Sequence, residues 1–148
     1  MKARNLVSPQ HTIRVDAPAM EVAVVLARHD VRGVLVVDAS NRFVDVLSDS
    51  ELLRYLLPPY VDAASSLAHV LEESAADVLF RRLEGRVVSD LVPREREHDP
   101  VVEGEDTLVE VASVMVRAHA SLVGVLEDGR LIGGISIDDL LSHLLTRR

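Results

Sequence analysis

At 148 residues the chain is long enough for one ordinary domain, or for two small lobes sharing a core, and too short for several independent domains. Its 24 acidic residues against 16 basic ones give a formal charge of -8, which opposes a phosphate backbone and leaves no basic, aromatic-rich stripe for stacking bases, so nucleic acid is not expected as a partner. Cysteine is absent, which removes disulfides, thiolate metal sites and cysteine nucleophiles, and no apolar stretch approaches the roughly 20 residues of a membrane span; a cytoplasmic protein with no membrane contact is the expectation.

Residues 1–10 carry Leu6 and Val7 between polar residues and lead into Ser8 and Pro9, with no assignable element. Thr12 to Val15 alternates as a short strand does. Asp16 and Pro18 supply a capping acid and an early proline for a helix from about Ala19 to His29, with Val22, Val25 and Leu26 on its apolar face. The apolar run Val34 to Val37 and the pair of runs at Phe43, Val44 and Val46, Leu47 flank a polar segment, which predicts a hairpin. A second helix starts near Asp49 and must end by Leu57, because Pro58 and Pro59 cannot continue it.

Residues 61–86 stand apart. Leu67, Val70, Leu71, Val78, Leu79 and Leu83 fall on helical spacing, Arg81 and Arg82 occupy the last turn, and Gly85 sits where a C-terminal cap belongs. This predicts an amphipathic linker helix that packs against the two lobes or docks a partner.

The second half then repeats the first. Residues 88–93 echo residues 3–8. Val101 and Val102 match Thr12 and Ile13, while Glu110 matches Glu21 at an offset of 110 − 21 = 89. Residues 122–126 take the place of the run at 34–37, and Asp128 with Gly129 is a two-residue hairpin signal. Ser136 matches Ser48 at 136 − 48 = 88. The charged loop from Arg94 to Pro100 reads as solvated. Each half therefore reads β-α-β-β-α, dividing the chain into 1–60, a linker at 61–86, and 87–148.

In both halves an apolar strand runs into a helix led by Ser-x-x-acid: Ser48 with Glu51, and Ser136 with Asp139. Two readings stand. The hydroxyl and carboxylate satisfy free N–H groups as a helix cap, or the helix N-terminus attracts phosphate while the acid accepts hydrogen bonds from ribose hydroxyls.

The block from Thr107 to Arg130 and the stretch Gly133, Gly134, Ile135, Ser136, Ile137, Asp138, Asp139 resemble the cystathionine-β-synthase (CBS) domain, whose tandem pairs are called Bateman modules. The resemblance covers nearly everything outside 61–86. It implies an α+β fold in which two β-α-β-β-α repeats pack as one pseudo-two-fold module with a cleft between the lobes, here with an additional linker helix. Such modules often form disc-like homodimers and bind adenosine ligands, so AMP, ADP, ATP or S-adenosylmethionine is the implied regulatory ligand, with no cofactor required. Carried over, Asp139 would hold ribose and Ser136 would approach phosphate, next to Gly133 and Gly134, with Ile135, Val101 and Val102 flanking the adenine.

The first copy departs from that pattern, because Asp45 replaces the glycine and Glu51 the aspartate, while Ser48 is retained; the longer Glu51 carboxylate could still reach ribose, but Asp45 adds negative charge and bulk, and a degenerate site is the expectation. Both copies also lack a basic residue before the acid, having Ser50 and Asp138 there. Phosphates would meet Asp49 and Glu51, or Asp138 and Asp139, unless a metal or a distant arginine such as Arg14, Arg28 or Arg32 intervenes, which favours a less anionic ligand.

Six histidines show no metal-binding spacing, and neither a Gly-x-Ser-x-Gly elbow nor a phosphate-cradling glycine loop occurs, so catalysis is not expected. Two functions remain. One is a stand-alone regulatory module that senses an adenosine ligand and acts on an unidentified partner protein; the other is a ligand-independent dimerisation or interaction module.

Overall fold

The computed structural model describes residues 1–29, 31–57, 77 and 80–146. Most of the predicted linker helix, including Leu67, Val70, Leu71, Val78 and Leu79, lies outside the described residues.

Each half forms the predicted unit. In the first, β1 (Thr12–Arg14), α1 (Met20–Arg28), β2 (Gly33–Val37), β3 (Phe43–Ser48) and α2 (Asp49–Leu56) follow in order. In the second, a short helix α3 (Val88–Leu91) precedes β4 (Val101–Glu103), α4 (Leu108–Ala118), β5 (Leu122–Glu127), β6 (Arg130–Ser136) and α5 (Ile137–Thr146). Each half builds a three-stranded sheet with its middle strand parallel to the first and antiparallel to the third. The helix between the parallel strands supplies the long crossover that such a pair requires.

Local chemistry sets the boundaries. Asp128 and Gly129 both take positive φ, 53° and 76°, the geometry of a tight hairpin with a primed turn. Thr107 caps α4: its hydroxyl accepts from the Glu110 N–H at 3.2 Å while the Glu110 carboxylate accepts from the Thr107 N–H at 2.7 Å. The expected cap of α1 by Asp16 does not form. Arg14 donates to both carboxylate oxygens of Asp16, at 2.9 and 2.8 Å, and the helix begins beyond Ala19, which makes no side-chain cap.

Each copy's lead-in packs on the opposite copy. Ala3 is fully buried in the second core, with Leu6 and Val7 against it, and the Ala3 N–H donates to the Asp106 carbonyl at 2.7 Å. Reciprocally, Val88 and Leu91 join the first core with Leu83, and the Val88 N–H donates to the Ala17 carbonyl at 2.9 Å. Ala17 and Asp106 correspond at 106 − 17 = 89, the same offset as β1 and β4, 101 − 12 = 89. The exchange is therefore pseudo-symmetric and ties the two copies into one body.

A third cluster seals the seam. Leu35 and Val46 of the first sheet meet Leu122 of the second, with Phe43 and Leu131 against them. Gly124 is required here, since a Cβ would lie 2.7 Å from the Phe43 ring. The sheets thus approach face to face, and the starts of α2 and α5 are brought to the seam. No helix among the described residues is long and apolar enough to cross a membrane.

Candidate functional site

The two Ser-x-x-acid junctions fold alike and are satisfied differently. At the second, the Ser136 hydroxyl accepts from the Asp139 N–H at 3.1 Å and Asp139 Oδ2 accepts from the Ser136 N–H at 3.0 Å, a reciprocal cap. The same Oδ2 accepts from the Ser8 hydroxyl at 2.8 Å, and Gln10 in turn donates to Ser8 at 2.9 Å. Ser8 arrives there through a backbone bridge to Gly134, with N–H to carbonyl distances of 3.0 and 3.3 Å.

Gly133 makes this approach possible. Its φ is +148°, and a Cβ would stand 2.5 Å from Val7 Cγ1 and 3.1 Å from the Ser8 carbonyl oxygen. Gly134 is equally crowded, with Gln10 and the Val123 carbonyl within 3 Å of a Cβ. The two glycines of the motif therefore admit the exchanged lead-in against β6.

At the first junction only half of the cap forms: Ser48 accepts from the Glu51 N–H at 3.3 Å, while the Glu51 carboxylate is engaged elsewhere. Arg96 reaches in from the loop after α3. Its Nε donates to Asp45 Oδ2 at 2.8 Å, and its Nη2 lies 2.8 Å from both Glu51 oxygens and 2.9 Å from the Val46 carbonyl. The three side chains retain 12% (Arg96), 7% (Asp45) and 18% (Glu51) exposure, so the pairing is largely removed from water. Burial alone would depress the Arg96 pKa, but hydrogen bonds to Asp45 and Glu51 hold it above its ordinary value and the group stays cationic. Burial pushes the Glu51 carboxyl up, against the lowering pull of Arg96.

The expectation that the charged loop 94–100 is solvated is thus corrected at Arg96. An acid inside a buried strand and another in the first turn of the next helix need a cation, and the loop supplies it. Glu51, carried over as a possible ribose ligand, is bound by that arginine instead.

A cavity of about 460 Å³ opens at the seam, lined among others by Gln10, Arg32, Asp49, Ser121, Ser136 and Asp138. Ser136 ends β6, Asp138 lies in the first turn of α5 and Asp49 starts α2, so both junctions contribute. Of the three arginines considered from sequence, Arg32 lines this cavity and Arg14 is held by Asp16 at the surface. Asp139 does not line the cavity; its carboxylate is on Ser8 and the Ser136 N–H. Ile135 and Val102 bury their side chains in the second core, whereas Val101 is half-buried and retains surface. A second cavity, about 250 Å³, adjoins Glu51 and Arg96 and takes Arg54, His98, Arg117 and His119 into its wall. The described residues contain no cluster of three or more His, Cys, Asp or Glu placed to hold a metal ion.

Two sheet-and-helix copies facing across a polar seam cavity, to which the first contributes Asp49 and the second Ser136 and Asp138, define a tandem-repeat α+β module. The CBS domain model matches twice, over residues 3–58 and 88–146, and the chain belongs to the CBS-domain family. Among solved structures it is similar to a CBS domain-containing protein of unknown function from Kribbella flavida, at 34% identity and TM-score 0.80 over 98% of this chain and 99% of that one. It is also similar to the CBS domain of a membrane protein from Sphaerobacter thermophilus, at 27% identity and TM-score 0.68, covering 96% and 86% of the two chains. The CBS-pair protein CBSX2, from Arabidopsis thaliana and solved also in complex with AMP, shares the fold at 21% identity in that complex, with TM-score 0.68 over 99% and 98%. No curated protein matches the chain.

Proposed function

We propose that the protein is a regulatory CBS pair that binds one adenosine-containing ligand in the seam cavity, at the second copy's junction, and passes the resulting change to a partner protein. The observation that carries this reading is the cavity of about 460 Å³, within the roughly 300–1,000 Å³ of small-molecule sites, bounded by Ser136 and Asp138 and with Arg32 in its wall. Arg32 offsets part of the charge of Asp49 and Asp138, which fits a monophosphate better than a triphosphate. Asp139 carries one neutral hydroxyl partner, and a ribose hydroxyl can take the place of Ser8 at little cost, one hydroxyl exchanged for another. The AMP complex of the fold neighbour CBSX2 adds support for this ligand class. Val101 is the adenine-flanking residue with surface to offer, and the module acts as a homodimer in the cytoplasm.

A second reading, a ligand-independent interaction module, is favoured by the reciprocal Ser136–Asp139 cap and the Ser8 contact, which satisfy these groups without any ligand. Melting temperature with and without millimolar AMP, ADP, ATP with magnesium, or S-adenosylmethionine separates the two. A ligand of the folded state raises the melting point by mass action. The expected result is a rise with AMP that Asp139→Ala abolishes. No rise with any of these ligands leaves the interaction module as the reading.

A further inference from the structure

We propose that Arg96 is a built-in substitute for ligand that closes the first copy's cleft to nucleotides. The proposal rests on the reading above only in taking the ligand to be an adenosine nucleotide; the closure itself stands on the Asp45–Arg96–Glu51 geometry.

The lead-ins correspond at 88 − 3 = 85, since Ala3 and Val88 make equivalent backbone bonds to the opposite copies, which pairs Ser8 with Pro93. From Ser8 to β1 is 12 − 8 = 4 positions, and from Pro93 to β4 is 101 − 93 = 8. The second lead-in is therefore four residues longer than the first, and Arg96 lies on that extension. Its two anionic partners stand at the positions where the other copy has Gly133 and Asp139, at 133 − 45 = 88 and 139 − 51 = 88. An extra loop segment and two substitutions thus meet at one guanidinium. Simple decay of a binding site would leave Asp45 and Glu51 buried without a counter-charge, at high cost; here every one of them is paired.

The chemistry of the closure differs in kind from that of the second copy. Asp139 is held by a neutral serine that a ribose hydroxyl can replace. Glu51 is held through both oxygens by a charged, largely buried donor that also bonds Asp45 and the Val46 carbonyl. A nucleotide entering there must break charge-assisted bonds that its own hydroxyls cannot match. The space left beside Arg96, about 250 Å³, is also below the usual range for a ligand site.

The test is a calorimetric titration of AMP into the full chain, as wild type and as the triple variant Asp45→Gly, Glu51→Asp, Arg96→Ser, which gives the first junction the second copy's chemistry. The expected gain is one bound AMP per chain over wild type, and the gain persists when Asp139→Ala is added. A folded triple variant that binds no more than wild type overturns the proposal, whatever the wild type binds; so does a wild type that binds two. A wild type that binds none, with a triple variant that binds one, overturns the reading of the second cleft and leaves the closure standing. Should the triple variant fail to fold, hydrogen exchange of Arg96→Met decides. Amides of β3 and of the first turn of α2, which carry the partners of Arg96, should exchange about tenfold faster or more, and unchanged rates there overturn the proposal.

Discussion

Replacing Gly133 by alanine probes the exchanged lead-in, and the geometry fixes how large the effect should be. The residue sits at φ +148°, where an alanine costs about 1–2 kcal/mol in backbone strain. Its Cβ would also lie 2.5 Å from Val7 Cγ1 and 3.1 Å from the Ser8 carbonyl oxygen, so the lead-in must move away. That movement weakens the two backbone bonds between Ser8 and Gly134 and the Ser8–Asp139 contact, each worth about 1 kcal/mol and not all lost together. The sum is about 3 kcal/mol, or a fall of roughly 6–12 °C in melting temperature for a chain of this size. Gly129→Ala is the control. It too has positive φ, +76°, but nothing lies within 4 Å of its Cβ, so it should pay strain alone, about 1 kcal/mol and roughly 2–4 °C. Differential scanning calorimetry of both variants, with hydrogen exchange at Ser8 and Gly134, checks the difference. Equal shifts for the two substitutions would refute the claim that Gly133 exists to admit the lead-in.

Arg96→Met should destabilise the chain by about 2–4 kcal/mol at pH 8, because it leaves two mostly buried carboxylates without their counter-charge. The penalty should shrink toward pH 4.5. Glu51 already has a raised pKa from burial and loses the lowering influence of Arg96, so its stabilising protonated form is present below the unfolded pKa and is lost as pH rises through the folded one. Urea melts across that range read the slope, and a pH-independent penalty would contradict the assignment. Ser8→Ala should lower the melting point by about 2–4 °C without ligand, for the loss of about one hydrogen bond. It should also tighten AMP binding several-fold by removing an internal competitor for Asp139; weaker binding in a titration would count against that competition.

Legibility in the sequence followed the range of the interaction. The repeat, both hairpins and the cap at Ser136 were readable because their signals are local: period-2 apolar runs, Asp128 with Gly129, and a serine three residues ahead of an acid. Local reading failed where a second partner outbid the first. Asp16 has the right position for a cap of α1, yet Arg14 two residues earlier takes both of its oxygens. Residues 3–7 gave no element because their packing partner lies a hundred positions away, although the echo between residues 3–8 and 88–93 carried the clue that both segments do the same thing. Arg96 was hidden for the same reason, at 51 positions from Asp45. Its signal is indirect: an acid within an apolar strand and a second in the first turn of the helix that follows demand a cation, and the longer loop before β4 is where one is available.

The site residues divide on the same line. Ser136 reaches the cavity wall, while Ile135, read as an adenine neighbour from the family pattern, faces the core with Val102. Inward and outward positions in the short strand β4 depend on the sheet it joins, which alternation over three residues does not settle.

The most direct test of the account is a calorimetric titration of AMP into the wild-type chain and into Asp139→Ala. Saturable binding at one site per chain, lost in the variant, is the expected result. Absence of heat with AMP, ADP, ATP and S-adenosylmethionine alike, in a chain shown to be folded, would contradict a nucleotide-sensing role at the second junction.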